Sequence, residues 1–272
     1  MTQIPLSEVP LSHVPSTKVW MSPQFFLPGP GQPRLAYLSR AGLKGPGLFW
    51  LGGYRSDMRG AKATFLDAFA AEQNRPCLRF DYSGHGESEG EFIDGTIGQW
   101  AEQACHVFRA LTAGPQIVIG SSMGGWIALL LARALARLGE TERLAGMVLV
   151  APAPDFSEEL IWPNLPEPVR KALARDGVWR DQQNVFTSAF FEDGRRNAVL
   201  GGEVRAWCPV HILQGMRDDA VPWRHALKLL EHLAADPATL TLIRDGDHRL
   251  SRPQDLALLR GALTQIENNE AE

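Results

Sequence analysis

The chain has 272 residues, of which 44% are hydrophobic and 21% charged, enough apolar material for a full globular core. Lys and Arg number 27 against 31 Asp and Glu, a formal net charge of −4 with no long basic block, so the electrostatic footprint of a nucleic-acid binder is missing. Three scattered cysteines (Cys77, Cys105, Cys208) without CxxC spacing exclude a disulfide framework and a cysteine-rich zinc site, and suit a reducing compartment.

Residues 1–23 are polar and punctuated by Pro5, Pro10 and Pro15, and read as an N-terminal extension. The first 33 residues carry one basic side chain, Lys18, and no apolar stretch of signal-peptide type, so a cytoplasmic location is expected. Segments 25–27 and 35–38 flank a Pro-Gly-Pro-Gly-Gln-Pro turn and predict a strand pair. Short apolar runs follow at 47–51, 77–80, 116–119, 147–150, 210–213 and 240–243. Helical patterns lie between most of them, at 61–73, 100–111, 124–138, 225–234 and 254–266. Strands apolar along their whole length and spaced by helices predict an α/β fold, a mostly parallel sheet covered on both faces. The longest apolar run, 126–136, is interrupted by Arg133 and falls short of a membrane span. Nearly sixty residues separate the strand ending near Ala151 from the one starting near Pro209. They carry Trp162, Trp179, Phe186, Phe190 and Phe191 among helix-compatible stretches such as 167–176, and read as a lid or cap over the site.

The sharpest local signal is Gly120-Ser121-Ser122-Met123-Gly124, preceded by an apolar strand and followed by a helical pattern. Such a strand–turn–helix makes Ser122 a candidate nucleophile, held on a strained turn beside the positive end of a helix. A serine hydroxyl needs a base, itself oriented by a carboxylate, and in this architecture both follow the serine in the chain. Of seven histidines, His248 alone sits after the Ser in a loop between the last strand and the last helix. For the acid, Asp218 in Gly215-Met216-Arg217-Asp218-Asp219-Ala220-Val221-Pro222 is preferred, with Asp219, Asp247 and Asp155 as further candidates. The N–H of Met123, and that of Tyr54 after Gly52-Gly53, are the expected donors to an oxyanion. The loop Asp81-Tyr82-Ser83-Gly84-His85-Gly86-Glu87-Ser88 lacks a Gly-Lys-Ser/Thr ending and reads as a brace for the site rather than a phosphate loop. There is no HExxH and no His/Asp cluster at ligand spacing, so neither a metal nor another cofactor is expected.

Taken together, the Gly-Ser-Ser-Met-Gly elbow, the Asp-x-x-Gly-x-Gly-x-Ser loop, Asp218-x-x-Val221-Pro222 and the late His248 resemble the α/β-hydrolase superfamily. Gly53-Tyr54, 79–84, 120–126, Gly-Met-Arg-Asp-Asp-Ala-Val-Pro-Trp at 215–223 and Asp247-His248-Arg249 resemble one group more narrowly. That group holds a mitochondrial palmitoyl-protein thioesterase and acyl-glucuronide esterase and its bacterial relatives. The resemblance implies an α/β-hydrolase domain over 24–272 with a cap insertion at about 153–206, and Ser122, Asp218 and His248 as nucleophile, acid and base. Gln214 and Gly52 depart from the pattern, standing where many members have His before Gly, and the cap is less alike. The expected activity is hydrolysis of carboxylic esters or thioesters with an apolar acyl group, on a small-molecule or acylated substrate. The alternatives are amide or carbon–carbon bond hydrolysis on the same fold, or a catalytically silent ligand-binding module.

Overall fold

The computed structural model describes residues 22–181 and 185–269, so most of the expected N-terminal extension lies outside the described residues. A hairpin, β1 (Gln24–Phe26) and β2 (Leu35–Arg40), leads into β3 (Gly47–Leu51), α1 (Ala61–Gln73), β4 (Cys77–Phe80), α2 (Ile97–Leu111), β5 (Gln116–Ser121), α3 (Met123–Leu138) and β6 (Leu144–Val150). The long interval then contributes α4 (Glu167–Asp176), β7 (Val178–Arg180), β8 (Val185–Thr187) and α5 (Ser188–Arg196). The chain closes with β9 (Val210–Gly215), α6 (Trp223–His232), β10 (Ala238–Ile243) and α7 (Pro253–Asn269). Among the described residues no helix is long and apolar enough to cross a membrane.

Eight strands form one sheet in the order β1-β2-β4-β3-β5-β6-β9-β10. The pairs β1–β2 and β2–β4 are antiparallel; every later pair is parallel. The parallel strands are buried on both faces, which is why β5 and β6 read as unbroken apolar runs. Side chains alternate between the two layers. Phe49, Val118, Leu149 and Ile212 pack in the layer that holds α2 and α3, while Leu48, Ile117, Val148 and Leu213 face α1 and α7.

The order reverses at β3: the next strand in the chain, β4, lies on one side of it and β5 on the other. Ligands of open α/β sheets bind beyond the strands' carboxyl ends at such a switch point. Register aligns those ends, with Leu51 beside Gly120, Ser121 beside Val150 and Gly215 beside Ile243. The loops starting at Gly52, Ser122, Ala151, Met216 and Arg244 therefore share one edge of the sheet.

The predicted helix at 167–176 is α4. The hairpin β7–β8 and the helix α5 were not anticipated. The hairpin strands are three residues each, paired antiparallel, with the rings of Trp179 and Phe186 stacked at 6.1 Å.

Candidate active site

Ser122 occupies the turn between β5 and α3 with φ 54° and ψ −117°, a region side-chain-bearing residues rarely adopt. Its backbone is fixed on both sides. The Ser122 N–H donates to the Val150 carbonyl at 2.9 Å, and its own carbonyl accepts from Gly125 at 2.9 Å and Ala153 at 3.1 Å. The flanking glycines are needed for space: a Cβ on Gly124 would lie 2.1 Å from the Leu51 carbonyl oxygen, and one on Gly120 would lie 2.4 Å from that of Gly124. Met123 is the first residue of α3, so its N–H belongs to the helix turn that has no intrahelical acceptor.

His248 and Asp218 reach Ser122 from the two loops beyond β9 and β10. The His248 ring has Nε2 3.1 Å from Ser122 Oγ and Nδ1 2.8 Å from Asp218 Oδ2. Asp218 is fully buried and accepts four donors. Ala220 N–H (2.9 Å) and Val221 N–H (2.7 Å) bind Oδ1, while the Gln214 amide (3.0 Å) joins His248 on Oδ2. Burial alone would raise this carboxyl, but the donors from His248, Val221 and Gln214 outweigh it and hold Asp218 below the usual carboxylate range. An ionised Asp218 can only accept, so Nδ1 carries the ring proton and Nε2 is the lone-pair nitrogen facing the Ser122 hydroxyl.

The other acids considered from the sequence lie elsewhere. Asp219 is exposed, and Asp247 accepts the Leu250 N–H at 3.0 Å instead of meeting the neighbouring ring. Asp155 is buried at the start of the insertion and accepts from Val199 (2.8 Å) and Leu200 (2.7 Å), clasping the insertion's far end to its entry.

Tyr54 follows Gly52 and Gly53 after β3. A Cβ on Gly53 would sit 3.3 Å from Ser122 Cβ, so this loop passes directly against Ser122. The Tyr54 ring turns toward an aromatic wall, meeting Phe92 at 4.8 Å, Phe156 at 5.8 Å and Phe190 at 5.8 Å, the last two from the insertion. Burial raises its phenol to about 12, so it stays neutral.

The Asp81 loop braces this arrangement. Asp81, buried, accepts the Met58 N–H at 2.6 Å and the Glu87 N–H at 2.9 Å, tying the Gly52–Gly60 loop to the end of β4. Gly86, at φ 48°, passes so close that a Cβ there would lie 2.0 Å from Asp81 Oδ2. His85 is buried among Trp100, Phe92 and Tyr82 and packs as an aromatic; burial lowers it below the ordinary histidine value.

Sequence reasoning missed two residues. Gln214 is read there only as a departure from a family pattern, yet it supports Asp218 from the last turn-facing position of β9; its spacing, four residues before the acid, is the available signal. Lys62, inside the predicted helix at 61–73 and not singled out there, lines the cavity beside Ser122 and His248. Among the described residues no group of three or more His, Cys, Asp or Glu is placed to hold a metal ion.

Known proteins bear on this geometry. The sequence profile of the α/β-hydrolase family matches residues 24–267. The human mitochondrial palmitoyl-protein thioesterase ABHD10 is 33% identical over 241 residues, covering 86% of this chain and 76% of the relative. A crystal structure from Agrobacterium vitis S4 is 47% identical with a TM-score of 0.84, covering 90% of this chain and 97% of the other. The mouse α/β hydrolase domain-containing protein 10 superposes with a TM-score of 0.82 at 29% identity, covering 92% of this chain and 99% of that one. With the eight-stranded sheet and its serine-bearing elbow, these matches carry one conclusion: the chain belongs to the α/β-hydrolase family.

Proposed function

We propose that this hydrolase cleaves carboxylic esters or thioesters with an apolar acyl group through an acyl-serine intermediate. The observation that carries the reading is the line of contacts from Asp218 Oδ2 through the His248 ring to Ser122 Oγ, at 2.8 and 3.1 Å. His248 Nε2 takes the hydroxyl proton as Oγ attacks the acyl carbonyl, and the imidazolium is stabilised by ionised Asp218. The oxyanion is met by the N–H groups of Met123 and Tyr54. His248 then returns the proton to the leaving oxygen or sulfur, which departs as alcohol or thiol. Water, deprotonated by the same nitrogen, releases the carboxylic acid and restores Ser122.

The apolar acyl group is supported by the Tyr54 ring, which lines the cavity at Ser122 and is backed by the buried rings of Phe156 and Phe190, an apolar surround ordinary for sites that bury a hydrocarbon or ring. The thioesterase activity named for the human relative is consistent with the same chemistry, because an acyl-serine forms from either ester.

A fluorophosphonate probe should label Ser122 in the folded wild-type protein and not Ser122→Ala. A panel of esters, thioesters and amides graded in acyl length then ranks the bonds cleaved. Absence of labelling, or a preference for amides, would overturn the proposal.

A further inference from the structure

The loop that carries His248 is held by other elements on both sides of the imidazole. Ahead of it, the Gly246 carbonyl accepts the Arg217 N–H at 2.9 Å, which ties the loop to the one bearing Asp218. Behind it, the Arg249 carbonyl accepts from Nζ of Lys62, in the first turn of α1, and from Ser251 Oγ at 2.9 Å. Lys62 Nζ also lies 3.5 Å from Ser251 Oγ, so one ammonium meets two residues of the segment that follows the imidazole. Between them Leu250 is 2% exposed and has φ 43°, a strained backbone for a residue with a side chain. Such strain persists only where the surroundings over-determine it, and Lys62 is one of those constraints.

The side chain that makes this contact comes from the other half of the site. Helix α1 continues directly from the Gly52–Gly60 loop, which bears Tyr54, and Asp81 fixes that loop through the Met58 N–H at 2.6 Å. Lys62 therefore joins the element carrying one expected oxyanion donor to the element carrying the base. It is half-buried and lines a cavity of about 430 Å³ together with Asp57, Ser122, His248 and Arg249. Burial is the main cause that brings its ammonium down to about 8; Asp247 opposes the shift, Arg249 adds to it, and Asp255 opposes it. An ammonium binds a carbonyl more strongly than a neutral amine does, so this contact is firm below pH 8 and weakens above it.

Resting on the acyl-serine reading above, we propose that Lys62 is a positioning residue for His248, holding the Arg249 carbonyl so that the imidazole keeps its place between Asp218 and Ser122. Lys62 exchanges no proton with the substrate and acts through the loop alone. The contact it protects is the 3.1 Å approach of Nε2 to Ser122 Oγ, and a misplacement of about 1 Å at reacting groups can cost a hundredfold in rate. Both transfers that His248 serves, formation and hydrolysis of the acyl-serine, depend on that approach. A lysine that merely packs against the loop is replaceable by methionine, which keeps the unbranched chain; a lysine that positions by donating is not.

The test follows kcat/KM for p-nitrophenyl butyrate from pH 6 to 10 in the wild type, Lys62→Arg and Lys62→Met, with the rate of fluorophosphonate labelling measured on the same samples. Wild-type kcat/KM should step down about fivefold as pH rises through about 8, to a lower plateau, because the amine still donates but less strongly. Lys62→Arg, which stays charged, should restore most of the neutral-pH rate and lose the step. Lys62→Met should hydrolyse and label about tenfold more slowly at pH 7 and show no step, the scale of one charge-assisted hydrogen bond. The step is read within each protein, so the wild-type and Lys62→Arg profiles carry the test if Lys62→Met does not fold. A wild-type profile with no step, a step that survives in Lys62→Arg, or wild-type rates in Lys62→Met overturns the positioning role and leaves the serine chemistry standing. Absence of both hydrolysis and labelling in the wild type would instead remove the acyl-serine reading, and this proposal with it.

Discussion

Replacing Gln214 with Leu separates the support of Asp218 from the acid itself. The Gln214 side chain is fully buried and its Nε2 lies 3.0 Å from Asp218 Oδ2, the oxygen that also holds His248. A hydrogen bond to an ionised group contributes about 1.5–3 kcal/mol. Part of that loss is offset, because the Gln214 Oε1 is buried with no partner among the described residues and a leucine removes it. The net cost to stability should therefore be about 1–2 kcal/mol. The remaining donors still hold Asp218, so His248 loses orientation rather than its partner, and kcat/KM should fall about tenfold, far less than in Ser122→Ala. The pH dependence follows in sign. Asp218 is depressed in the folded state, so its contribution to stability is present above the unfolded carboxylate value and lost as pH falls through the folded one. Without the Gln214 donor the folded carboxyl rises, and the loss of stability on acidification should begin from a lower plateau and be shallower. Urea unfolding from pH 3 to 7, with p-nitrophenyl butyrate hydrolysis on the same protein, measures both. Wild-type kcat/KM together with an unchanged acid slope would refute the assignment of Gln214 to Asp218.

Gly124→Ala places a methyl 2.1 Å from the Leu51 carbonyl oxygen, a contact between backbone segments that cannot yield by a rotamer change. It should cost at least about 3 kcal/mol in chemical denaturation or leave the protein insoluble, whereas Gly201→Ala, with open space around it, should be within about 0.5 kcal/mol of wild type. Asp155→Ala removes the acceptor of the half-buried Val199 N–H and the buried Leu200 N–H and leaves both unpaired, so hydrogen exchange at those amides should accelerate and KM for a long-chain ester should rise more than for an acetyl ester. An equal KM change for both esters would disconnect the clasp from the acyl side of the site.

The alternation of strands and helices along the chain and the elbow were legible because each rests on a local pattern. Residues 47–51, 61–73 and 77–80 match β3, α1 and β4 at both ends, since short buried strands entered from Pro46 and Pro76 and a helix entered from Gly60 leave little choice of boundary. The insertion was less legible for a physical reason. Helix α5 contains Gly194, a poor helix residue, and a Cβ there would lie 2.2 Å from Ser157 Oγ; only the packing of α5 on the insertion's first turn makes glycine favourable. Strands of three residues, β7 and β8, are too short for an alternation to register. Among the four candidate acids, the place of Asp218 three residues before Val221-Pro222 favoured it, but the two backbone N–H groups that aim its carboxylate are a property of the folded loop.

Three buried aspartates at this edge of the sheet use the same device, a carboxylate accepting two backbone N–H groups: Asp81 from Met58 and Glu87, Asp155 from Val199 and Leu200, Asp218 from Ala220 and Val221. At Asp81 burial prevails and raises the carboxyl to about 6; at Asp155 burial also raises it. Only Asp218 is held below the ordinary value, and only Asp218 has an imidazole and an amide on its second oxygen. Two backbone donors are thus enough to brace a loop but not to offset the burial of its carboxylate. Two more donors are what hold the same motif in its ionised form beside an imidazole, and that difference separates Asp218 from its structural counterparts without reference to the serine.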